Sequence, residues 1–107
     1  MVYRNGARVG MLRQYDRGTY EFEYDDRWYR DPGKPPVSLT LPKTRKIHKS
    51  DHLFPFFYNM LAEGANRKFQ ARQLKIDERN YFDLLLATAH FDTIGAVTVK
   101  PAGDNAS

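Results

Sequence analysis

The sequence predicts an α+β fold: an antiparallel sheet, or small barrel-like meander, a cluster of about three short helices, and a closing C-terminal strand. Two changes of hydrophobic period carry this reading. The front third alternates with a period of two, as a half-buried strand does, and the back half shifts to the i, i+3, i+4 spacing of amphipathic helices. Near the end, Ala96–Val99 alternates again, as a strand returning to the sheet would.

The strands come first. Met1–Arg4 and Ala7–Leu12 flank Asn5-Gly6, a dipeptide that tolerates positive φ at both turn positions and so favours a tight hairpin. Asp16-Arg17-Gly18 introduces Thr19–Tyr24, where Tyr20, Phe22 and Tyr24 alternate with Glu21 and Glu23, aromatics inward and acids outward. Residues 25–36 read as a turn-rich connection, since Pro35 and Pro36 lack the amide hydrogens of a central ladder. A short strand is expected at Val37–Leu41, ended by Pro42, with a basic loop over 43–49.

The helices follow. Ser50 or Asp51 is a candidate cap for a first helix with Pro55 in its opening turn. Leu53, Phe56, Phe57, Met60 and Leu61 fall on one face, and Gly64 is placed to end the helix. Asn66 opens a second, highly charged helix to about Leu74. Asn80 with Asp83 resembles a capping box for a third, with Phe82, Leu85, Leu86 and Ala89 inward. Residues 1–100 make one domain and 101–107 a flexible tail.

Composition bounds the chemistry. The chain has 107 residues, 41% of them apolar and 14% aromatic, enough for one modest core. No stretch approaches the roughly 18 apolar residues of a membrane helix, so no membrane partner is expected. With no cysteine, disulfides and thiolate metal sites are excluded, and the composition suits a reducing cytoplasm. The net charge of +4 is uneven, acidic over 21–31 and basic over 43–49 and 67–79, a distribution that steers toward a charged partner.

No phosphate-cradling loop or kinase catalytic motif occurs, and Gly33-Lys34 runs straight into two prolines. His48 and His52 are four apart, but the expected helix cap falls between them and no third ligand is evident. Asp25-Asp26 sits beside Arg27 and Arg30 and reads as a solvated turn rather than an acid–base pair. Lys43, Arg45, Lys46 and Lys49 could meet phosphates, with Tyr58 or Phe69 stacking on bases. Solvated surface is the commoner fate of such runs, and Phe69 reads equally as core. Trp28, the only tryptophan, either packs the connection against the sheet or anchors an interface. No cofactor is expected.

In order, VYRNGARVG, YEFEYDDRWYRDP, PPVSLTLP, FFYNMLAEG, YFDLLLATA and IGAVTV resemble the N-terminal subdomain of HipA-type serine/threonine kinase toxins, over about residues 2–100. Each piece alone is common; six in the same order and spacing are not. Two loops depart from the family's pattern. Leu61-Ala62-Glu63-Gly64 stands where Leu-Pro-Glu-Gly is usual, and residues 90–96 differ from the usual glycine-containing loop.

The resemblance implies a segment without catalytic residues. Because the chain ends seven residues after Lys100, it resembles the small HipS-like antitoxin of a split HipBST system. Such a protein neutralises a HipT-like kinase toxin, with a HipB-like helix-turn-helix protein in a larger complex and nucleic acid contacted only indirectly. The alternatives are the non-catalytic N-terminal fragment of a longer HipA-type kinase, or a nucleic-acid-binding module. The expected partner-binding residues are Ala62, Glu63, Gly64, Asn66, Arg67 and Lys68, in the turn between two helices. The core pattern does not need them, although Glu63-Gly64 also reads as a plain helix end.

Overall fold

Asn5 and Gly6 take φ of 50° and 83°, the positive pair that a tight hairpin requires. They join β1 (Val2–Arg4) to β2 (Ala7–Asp16), and β3 (Thr19–Tyr24) runs back along β2. The computed structural model describes residues 1–16, 18–89 and 97–101. After β3 come α1 (Asp26–Arg30), β4 (Ile47–Ser50), α2 (Pro55–Tyr58), α3 (Gly64–Leu74), α4 (Tyr81–Thr88) and β5 (Val97–Val99). The strands form one antiparallel sheet in the order β4-β3-β2-β1-β5. The α+β class is as the sequence predicts. The barrel-like closure is not, because β4 and β5 stand at opposite edges of an open sheet.

The β2–β3 register explains the core. Gly10, Leu12 and Gln14 face Tyr24, Phe22 and Tyr20, so one side of the ladder is aromatic and buried. Phe22 lies edge-on to Tyr24, with ring centroids 4.9 Å apart, and 5.7 Å from Phe57 of α2. Gly10 is needed for this approach: a Cβ there would fall 2.3 Å from the Glu23 carbonyl oxygen. On the opposite face Arg13 binds Glu21 at 2.8 Å and Glu23 at 3.0 Å. Glu21 points outward as expected, but Arg13 and the Tyr15 hydroxyl cover it so well that it is buried.

Three stretches differ from the sequence expectation. The connection at 25–36 contains α1, capped by Asp25, whose carboxylate accepts the Arg27 amide at 3.3 Å. No strand forms at Val37–Leu41; the Ser38 hydroxyl meets the Thr40 hydroxyl at 2.9 Å and accepts the Thr40 amide at 3.2 Å, a local bond that competes with extended structure. Val37 and Leu41 are still buried, while Leu39 between them is 92% exposed. The Tyr24 hydroxyl fixes this arch, accepting the Val37 amide at 3.1 Å and donating to the Leu41 carbonyl. The vacant side of β3 is filled instead by β4, from the stretch expected to be a loop.

The helical layer also shifts. Phe54, not Ser50 or Asp51, occupies the N-cap of α2, and Pro55 takes its first turn as expected. This helix is one turn, extended to Leu61 by tight bonds from Met60 to Phe57 and from Leu61 to Tyr58, both 3.0 Å. Gly64 does not end it but begins α3. α3 closes at Lys75, φ 58°, with the Lys75 and Ile76 amides returning to the Arg72 and Ala71 carbonyls. Asn80 caps α4 as expected, its side-chain oxygen accepting the Asp83 amide at 3.4 Å, but the return bond of a capping box is replaced by one from the Asn80 side-chain amide to the Asp83 carboxylate at 2.7 Å. Leu85 and Ala89 are buried as expected and Phe82 and Leu86 partly so, but Leu84 and Thr88 share the buried face.

Val2 and Val99 pair across β1 and β5 in the core. The approach to β5 at 90–96 and the tail at 102–107 fall outside the described residues. Among those described, no helix is long and apolar enough to cross a membrane.

Candidate partner-binding site

The turn between α2 and α3 is held from below by Met60 and Leu61, which are buried. Ala62 is half-buried above them, and Glu63 is extended at the N-cap of α3 without a side-chain capping bond. Gly64 takes φ of 52°, a left-handed conformation that suits glycine, and nothing lies within 4 Å of where a side chain would project. The backbone is thus bare at this point. Asn66 and Arg67 both direct their amides to the Glu63 carbonyl, at 3.1 and 3.4 Å.

Among the six expected residues, Glu63, Gly64, Asn66 and Lys68 are exposed. Arg67 is not a free cation. Its guanidinium donates to the Tyr58 hydroxyl at 3.0 Å and lies 5.7 Å and 5.5 Å from the centres of the Tyr58 and Tyr81 rings. Those rings meet edge to face at 5.2 Å. Tyr58, Arg67, Leu61, Ala62 and Glu63 line a depression of about 200 Å3 beside the turn.

Arg67 and Tyr81 therefore tie α3, α2 and α4 together at this corner. The sequence did not connect them: Tyr81 lies fourteen residues from Arg67, and only the fold brings its ring there. Tyr58 spends its ring on Tyr81 and Arg67, whereas Phe69 projects from α3 at 61% exposure.

α3 opens without an acidic residue in its first turn, but Glu63 supplies a carboxylate at its N-cap, where a helix attracts negative charge, and Arg67 and Lys68 lie near that end. The sequence pattern placed the helix start at Asn66 instead, leaving Glu63 in the turn before it.

Several of the other singled-out residues serve the fold. Trp28 is buried and its indole N–H donates to the Pro35 carbonyl at 2.7 Å, the packing role. Asp25 caps α1, and Asp26 pairs with Lys46. The hydrogen bond from Lys46 holds the Asp26 carboxyl below its usual range and raises the Lys46 ammonium in turn. His48 sits on β4, bonded to the Pro42 carbonyl at 2.9 Å, and His52 lies in the bend beyond, so the two never share a helix face. In the basic stretch, Lys43 caps the Asp31 and Lys34 carbonyls, both at 2.7 Å, and Lys46 also reaches Glu23 at 3.6 Å. Arg45 and Lys49 are exposed and, among the described residues, have no carboxylate within 4.0 Å.

Fold and site together define a small α+β module: one open antiparallel sheet, one helical layer, and a polar interhelical corner. The chain belongs to the HipA N-terminal domain family, whose model matches residues 1–100. It is 32% identical over 99 residues to a protein of Haemophilus influenzae, covering 92% of this chain and 88% of that one. Two proteins of Sinorhizobium fredii are similar across 94% of this chain. "Putative kinase Y4mE" is 31% identical and Y4dM, similarly named, 34%. The chain spans only 24% and 26% of their lengths.

Proposed function

We propose that the chain is a cytoplasmic, non-catalytic antitoxin that binds a HipT-like serine/threonine kinase and holds it inactive. The observation carrying this reading is the contrast in coverage: the same domain spans 88% of one relative and about a quarter of two named as kinases. A domain that occurs both as nearly a whole small protein and as about a quarter of proteins named as kinases suits action on a kinase in trans. Inhibition then works by covering the kinase's cleft or by favouring an inactive arrangement of its mobile loops. Glu63, Gly64, Asn66 and Lys68 make the contact, with Ala62 at its base and Arg67 setting its shape. A HipB-like protein carries any DNA contact.

The partial coverage of Y4mE and Y4dM favours a second reading, in which the chain is the N-terminal segment of a longer kinase. Co-expression with a HipT-like kinase from the same genome separates the two. The antitoxin restores growth and co-purifies with the kinase. Joint replacement of Glu63, Asn66 and Lys68 by alanine costs about 2 kcal/mol of binding, near the hot-spot threshold, roughly thirtyfold in Kd. Full rescue by that triple variant, folded as the parent, moves the inhibitory surface elsewhere. Absence of both rescue and co-purification removes the antitoxin reading.

A further inference from the structure

The open edge of the sheet at β4 is a second surface, independent of the 62–69 corner. The Tyr24 amide donates to the Lys46 carbonyl at 2.9 Å, which fixes the phase of the β3–β4 ladder. In an antiparallel pair the bonded positions alternate. His48 and Ser50 therefore bond to β3 across from Phe22 and Tyr20, and Ile47 and Lys49 turn their N–H and C=O groups away from the sheet. Among the described residues none of these four groups has a backbone partner from a turn or loop. Ile47 is 39% exposed, and Arg45 and Lys49 flank it without ion-pair partners among the described residues.

We infer that this edge accepts one extended, acidic segment of a partner protein as a sixth strand. The main-chain groups of Ile47 and Lys49 provide the pairing, and the side chains on the solvent face set the pattern. Residues opposite Arg45 and Lys49 are acidic and the one opposite Ile47 is apolar, a pattern that reads the same in either strand direction. The cations also select against a second copy of this chain. An antiparallel copy centred on Ile47 sets Lys49 against Arg45, and one centred on Lys49 sets that residue against itself.

The test uses the full chain, labelled with nitrogen-15, and two capped peptides: Thr-Glu-Thr-Val-Thr-Glu-Thr and its twin with lysine in place of glutamate. At millimolar concentration the acidic peptide shifts the amide signals of Ile47 and Lys49 and slows their hydrogen exchange, and the lysine twin binds at least about fivefold more weakly. Lys49→Pro removes an amide that β3 does not use, so it keeps the fold and loses the shift. Lys49→Glu cancels the preference between the peptides, and Arg45→Glu with Lys49→Glu reverses it, which keeps the test sound should the proline variant fail to fold. Equal shifts with both peptides, shifts confined to other strands, or no shift at all overturns the inference. Dimerisation of the chain alone, broadening the β4 signals, assigns the edge to a second copy and overturns it as well.

Discussion

Arg67→Ala separates what holds the α2–α3 corner together from what it presents to a partner. The guanidinium lies over two tyrosine rings at 5.7 and 5.5 Å and donates to one hydroxyl at 3.0 Å. A cation over an aromatic face at a partly exposed site contributes about 0.5–1 kcal/mol. The hydrogen bond contributes about 1 kcal/mol net. The two rings share one cation, so the terms do not simply add, and the Nε atom is enclosed without an acceptor among the described residues, which offsets part of the gain. The expected loss is about 1–2 kcal/mol, a fall in Tm of roughly 5–10 °C for a domain of this size. Thermal melting followed by circular dichroism measures it directly. Tyr58→Phe removes only the hydroxyl and should lose about half as much, and an Arg67→Ala, Tyr81→Leu cycle should show coupling of at least about 0.5 kcal/mol. Arg67→Ala melting within about 1 °C of the parent would falsify the clamp and return Arg67 to the exposed surface.

Tyr24→Phe should cost about 2–4 kcal/mol, because it strands the buried Val37 amide and Leu41 carbonyl; urea titration measures it. Burial raises the Tyr24 pKa above its ordinary 10.0, so the native state holds its proton where the unfolded chain has released it. Its contribution is therefore complete below pH 10.0 and is lost as pH rises through the folded value, and the gap between parent and Tyr24→Phe should narrow there. An unchanged gap would contradict this. The glycines differ in kind. Gly10→Ala, with its methyl 2.3 Å from a main-chain oxygen, should cost at least about 2 kcal/mol or prevent folding. Gly64→Ala, with open space but φ of 52°, should cost about 1 kcal/mol. Equal melting of the two variants would undo that distinction. For DNA, joint replacement of Lys43, Arg45, Lys46 and Lys49 by alanine should make the filter-binding slope of log K against log salt shallower by no more than about 2, since among these four only Arg45 and Lys49 are unengaged by the described residues. A change near about 4 would show that Lys43 and Lys46 leave their protein partners.

The sequence by itself determined whatever rests on near neighbours. Asn5-Gly6 made the hairpin, the Tyr20–Tyr24 alternation made β3, Asn80 with Asp83 capped α4, and Pro55 opened α2. Ordered pieces of this kind were also enough to point to the family. The tertiary structure alone decided what rests on distant partners. Val37–Leu41 has strand-like residues, but its hydroxyls and the Tyr24 phenol hold it as an arch, and a basic stretch with little strand propensity takes the vacant edge of β3. The sheet stays open because β4 and β5 end at opposite edges. At the candidate site, the exposure of Glu63, Asn66 and Lys68 followed from the absence of any core period among them. The role of Arg67 did not, because its two rings come from residues nine positions before it and fourteen after it. A periodicity records only which face of one element is apolar; which elements meet, and which cations are spent where they meet, is settled by packing.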